Sequence, residues 1–204
     1  MGANLELDIF SNQLIHIEWI WMCLRHFNLQ PEINYVTSID NWLWENAQSY
    51  PNTILFSEMQ EIIKTEKIMW IYFTVLSDKI KRNCGCMIKK DQENLYHTSL
   101  WVDTRNEEWF GDESITLITN QNAMFYEAII QNIDLLSPKI FLQVAGLGIE
   151  SSVSWEGDLE TTIKMNGEIR QWLLPNRALP HILSAWQTKK YTNIVLIQPP
   201  NQNL

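Results

Sequence analysis

The order of apolar and polar positions changes period several times along the chain. Residues 3–10, ANLELDIF, alternate Leu5, Leu7 and Ile9 with Glu6 and Asp8, the period of two expected of a strand with one buried face. From Asn12 the spacing widens: Leu14, Ile17, Trp21 and Leu24 fall on one helical stripe, broadened by Ile15, Trp19 and Met22, and Pro31 closes it. That predicts a largely buried helix of about four turns. INYVTS (33–38) predicts a short strand, after which Ser38 can cap a helix that puts Ile39, Trp42, Leu43 and Ala47 on one side and ends at Pro51. NTILF (52–56) has strand composition, and Ser57 with Gln60 forms a capping box ahead of EMQEIIKTEK. IMWIYFTVL (68–76) is a continuous apolar run rich in aromatic and β-branched residues, which predicts a central strand covered on both faces.

Strand and helix alternate through these first eighty residues or so, favouring crossover connections and some parallel pairing. CGCMIKK and LYHTSLWVD then flank a short polar turn at Asp91–Asn94, the pattern of an antiparallel hairpin. Further on, residues 120–136 predict a helix with Met124, Ala128, Ile129 and Ile133 on one stripe, stopped by Pro138. IFLQVAG (140–146) predicts a buried strand, SSVSW and TTIKM are strand candidates around the Glu156–Asp158 turn, and a helix over 158–166 is the alternative for the second. Pro180 suits the first turn of a helix carrying Ile182, Leu183 and Trp186, with Lys189 and Lys190 in its last turn, and NIVLIQ (193–198) a final strand. The expected fold is α+β: a mixed β-sheet of about six to eight strands with flanking helices, one domain over residues 1–198 and a polar tail over 199–204.

Composition narrows the classes. Of 204 residues 46% are hydrophobic and 19% charged, enough apolar material for one core. The formal net charge is −9, and basic residues come at most in pairs, so the cationic footprint that nucleic-acid binding needs is missing and no nucleic-acid partner is expected. The most apolar stretch, residues 19–24, is far short of the ~20 residues that span a bilayer, so no membrane partner is expected. The first segment carries Glu6 and Asp8, against a signal peptide, and Glu6 also occupies the position where a myristoylation signal wants Ser or Thr. Three cysteines do not make a disulfide framework and suit a reducing compartment, giving an expectation of cytoplasmic location. Ten tryptophans exceed what a core of this size needs, leaving one or two for an interface.

Three stretches invite chemistry. In NCGCMIKKDQENLYH a four-residue turn would pair Ile88 with His97, Cys86 with Ser99 and Cys84 with Trp101, placing Cys84, Cys86 and His97 on one face; a register shift of one residue would separate them. No further ligand at zinc-like spacing is evident, so neither metal nor cofactor is expected. VAGLGIESS presents Gly-x-Gly after a strand, but the third glycine of a dinucleotide turn is replaced by Ser151 and β character follows. The histidines, His16, His26, His97 and His181, fall in no complete catalytic motif. DTRNEEWFGDES (103–114) sets Asp103, Glu107, Glu108, Asp112 and Glu113 around Trp109 and Phe110, an acidic aromatic segment suited to a basic protein surface.

The function expected from these features is non-enzymatic: an acidic, tryptophan-rich protein-binding protein, of inhibitor, toxin-immunity or adaptor type, docking on a basic partner through residues 103–113. The alternatives are an enzyme with a site assembled near His97, Cys84 and Cys86, or a structural subunit of a larger assembly. The sequence does not specify an oligomeric state.

Overall fold

The structure is a computed structural model and describes residues 4–26, 28–40, 42–65, 67–77, 80–103, 120–149, 153–166, 171–178 and 186–198. In chain order the elements are β1 (Asn4–Ser11), α1 (Ile17–His26), β2 (Gln30–Asp40), β3 (Leu43–Tyr50), α2 (Phe56–Lys64), β4 (Ile68–Ser77), β5 (Ile80–Gln92), β6 (Leu95–Asp103), α3 (Asn120–Ile140), β7 (Leu142–Ile149), α4 (Leu159–Met165), β8 (Gln171–Pro175), β9 (Gln187–Lys190) and β10 (Ile194–Gln198). The strands form one ten-stranded sheet in the order β3-β2-β4-β5-β6-β1-β7-β8-β10-β9.

Every pairing is antiparallel, so the expected mixed sheet is corrected, as is the strand count. Helices do interrupt the strands, but none serves as a parallel crossover. The segment expected to be a helix from Ser38 to Ala47 is instead the β2–β3 hairpin, joined at Asp40 and Leu43 by a two-residue connection. Ile39, Trp42 and Leu43 satisfy a helical spacing, but three apolar positions around a turn satisfy it equally well. NTILF is not a strand, because Phe56 already opens α2; there Glu58 accepts a hydrogen bond from the Leu55 amide at 3.0 Å, which puts the cap at Leu55 rather than at the expected Ser57. Lys189 and Lys190 lie in β9 rather than in a helix, while residues 179–185 lie outside the described residues. TTIKM belongs to α4, the helical alternative. Pro138 does not stop α3 but sits in its last turn.

The alternation of each strand sorts its side chains between two faces. On one face Leu7, Ile9, Ile71, Phe73, Cys84, Cys86, Leu100, Ala145 and Leu173 join Ile17, Trp21 and Leu24 of α1, Met59 and Ile63 of α2, and Ile133 of α3 in the principal core. The opposite face is divided. Over β1, β7, β8 and β10, Phe10, Val144, Trp172, Leu174, Val195 and Ile197 are buried with Val153 and with Ile163 of α4. Over β2, β4, β5 and β6 the small cluster of Ile39, Ile68, Met87 and Trp70 contains no helical residue. Half of one sheet face therefore has a cover and half has none among the described residues.

Candidate binding face

The open half is built by rows of side chains running across the strands. One row places Tyr35 beside Tyr72, Tyr72 beside Gly85 and Gly85 beside Trp101; the next places Thr37 beside Trp70, Trp70 beside Met87 and Met87 beside Ser99. At its rim stand Trp42 and Trp44. Their rings make a continuous chain of contacts: Tyr35 stacks on Tyr72 at 4.3 Å between centroids, Trp70 lies 6.5 Å from Tyr72, Trp44 5.7 Å and Trp42 6.2 Å from Trp70, and Trp101 5.8 Å from Tyr72. Trp44 is 53% exposed, Tyr35 49% and Trp42 48%, so about half of each of these large rings meets solvent. Burial, followed by the adjacent Tyr35 hydroxyl, holds the Tyr72 phenol above its usual range.

Gly85 explains how Trp101 lies in this face. A Cβ at Gly85 would fall inside the Trp101 indole, so the ring rests directly on the β5 backbone. The Cys84-Gly85-Cys86 stretch is thus an alternation: two thiols point into the core and the glycine between them leaves room for an indole on the other side. Both cysteines are buried, and burial pushes the Cys86 thiol well above its ordinary value.

The expected meeting of His97 with these cysteines does not occur. Glu93 and Asn94 form a two-residue connection and the pairing slips at Asp91, so Cys84 faces Val102, Cys86 faces Leu100 and Lys89 faces His97. This one-residue change puts His97 on the face opposite the thiols. Its partner is Asp8, whose Oδ1 lies 2.6 Å from His97 Nε2 while Oδ2 accepts the Val153 amide at 3.0 Å. The imidazole also stacks on Phe10 at 4.4 Å. Both side chains are buried, and the pair fastens the segment beginning at Val153 to the sheet. Among the described residues no group of three His, Cys, Asp or Glu side chains is placed to hold a metal ion.

The other sequence candidates disperse. Gly146 and Gly148 are interior positions of β7, paired with Asp8 and Glu6 of β1, so the Gly-x-Gly stretch is no turn. His16 precedes α1, hydrogen-bonds to Gln60 and stacks on Trp19; His26 ends α1. His181 lies outside the described residues. Asp103 is the last residue of β6, two positions beyond Trp101, and Glu107, Glu108, Trp109, Phe110, Asp112 and Glu113 lie outside the described residues.

The lysines around the open face are paired. Lys89 is 2.6 Å from Asp91 and also 5.4 Å from the Trp42 ring centre; Lys81 is 3.6 Å from Glu32, and Lys67 3.8 Å from Asp40. Each of these lysines thus has a carboxylate beside it, within a chain of net charge −9. Compared with known protein families, curated proteins and solved structures, the chain has no significant match. Among the described residues no helix is long and apolar enough to cross a membrane.

Proposed function

We propose that the protein is a binding protein that docks a basic partner protein on the open aromatic face, with the acidic residues of segment 103–113, which follows β6 in the sequence, engaging the same partner. The observation that carries this reading is the connected set Trp42, Trp44, Trp70, Tyr72, Tyr35 and Trp101 on a sheet face that, among the described residues, has no helix over it. Exposing so much aromatic area has a solvation cost that a folded chain ordinarily removes by covering it, and Trp and Tyr are the side chains that anchor protein interfaces. The chain's net charge of −9, with the lysines around this face already paired, favours a basic partner and opposes a polyanion.

The test is selection of a phage-displayed random peptide library on the wild-type protein, with the Tyr35→Ser/Trp44→Ser variant as the parallel target. Peptides rich in Lys or Arg, enriched on the wild type and not on the variant, are the expected result. Enrichment that is absent, lacks basic residues, or survives in the variant would refute the reading.

A further inference from the structure

We infer that the partner reaches this face as an extended basic strand added to the free edge of β3, an inference that rests on the docking reading above and gives it a form. The sheet has two edges, and they differ. At one end β9 is four residues long and carries Lys189 and Lys190, the short and charged type of edge that discourages pairing with another chain. At the other end β3 is eight residues long, LWENAQSY, with neither lysine nor proline. It pairs with β2 on one side, and among the described residues no strand pairs with its other side, so that row of backbone amides and carbonyls can accept a strand.

The apolar side chains of this edge are also turned outwards. Leu43 is 45% and Trp44 53% exposed, and nearly the whole strand is exposed. The hairpin is closed by Trp42 at φ 64, a left-handed conformation that a bulky residue seldom adopts, and this puts an indole at the rim where glycine or asparagine would be the ordinary choice. Because Trp44 meets Trp70 on the open face, alternate side chains of an added strand would prolong that face beyond Trp44.

Charge selects the occupant. The edge carries one charged residue, Glu45, on a protein of net charge −9. A second copy pairing β3 with β3 would bring two such molecules together, whereas a strand bearing Lys or Arg gains opposite charge across the edge.

The probes are the peptides enriched on the wild type, each synthesised with backbone N-methyl groups at odd or at even positions. An edge-paired strand directs every second amide at β3, so methylation of one parity should weaken binding about tenfold or more while the other leaves it within about twofold. Hydrogen exchange at alternate amides of β3 should slow when the unmodified peptide binds. If peptides bind but both parities behave alike, or protection appears elsewhere than β3, strand addition is wrong and the docking face stands. If no peptide is enriched, both fail. If the protein alone forms a concentration-dependent dimer with β3 amides protected, the occupant is a second copy and the inference is overturned.

Discussion

The two halves of one sheet face show what a cover does. Over β1, β7 and β8 the face carries Phe10, Asp8 and Trp172, and residues 153–166 lie across them: Trp155 meets Phe10 at 5.9 Å and Val153 donates its amide to Asp8. That cover is itself tied down. Asp158 caps α4 through the Thr161 amide at 2.9 Å, and Asn166 accepts from the Ser154 amide while donating to the Ser154 and Thr162 carbonyls. Over β2, β4, β5 and β6 the same alternation yields Tyr35, Tyr72, Trp70 and Trp101 with no such segment above them among the described residues. Large aromatic groups stand in both halves, and among the described residues only one half has a cover, so its rings are packed into the fold while those of the other half meet solvent.

The contrast can be broken most severely from the covered side. Trp172 is 1% exposed, and Trp172→Ala should lower unfolding free energy by about 3–5 kcal/mol in a denaturant titration, the cost of a large buried cavity. Asp8→Ala should cost about 1–3 kcal/mol by leaving His97 and the Val153 amide without their acceptor, and hydrogen exchange at Val153 should speed up. Gly85→Ala reaches the open half: a Cβ displaces the Trp101 indole, at about 1–3 kcal/mol, with a change in near-ultraviolet circular dichroism. Trp44→Ser, by contrast, should change stability by no more than about 0.5 kcal/mol while abolishing peptide binding, since its ring is already half in water.

The smallest effect concerns the thiols. Burial raises Cys23 from 9.0 to about 11 and Cys86 further, so the folded chain keeps protons that the unfolded chain begins to lose near pH 9. Their contribution to stability is complete below that pH and declines as pH rises towards 11 and beyond. At pH 8 the native protein should leave Cys23 and Cys86 unlabelled by a thiol reagent, with labelling appearing on unfolding.

Much of the architecture was legible where a single period held over a long run. β1, the β5–β6 hairpin, α3 and β10 follow from alternation, helical spacing or a short apolar run bounded by polar residues. The β2–β3 hairpin was not, since the spacing of Ile39, Trp42 and Leu43 is ambiguous between a helix and a turn. The aromatic face was hidden in IMWIYFTVL. Read as uniformly apolar, the run predicts burial on both faces; yet Met69, Ile71, Phe73 and Val75 are buried while Trp70 and Tyr72 stand half-buried opposite them. The clue was that the aromatic amphipathic residues occupy one parity. The register of the β5–β6 hairpin turned on one bulge at Asp91, which no hydrophobic pattern specifies, and that bulge decided whether His97 met the cysteines.

Binding of a basic partner through the aromatic face, with the acidic residues of segment 103–113, has a decisive experiment. Calorimetric titration of an enriched basic peptide against three proteins tests it most directly: the wild type, Tyr35→Ser/Trp44→Ser, and the charge reversal of Glu107, Glu108, Asp112 and Glu113 to Lys. The aromatic variant should lose at least about tenfold in affinity at any salt, and the charge-reversed variant should show a loss that shrinks as salt rises. Equal affinity for all three proteins would contradict it.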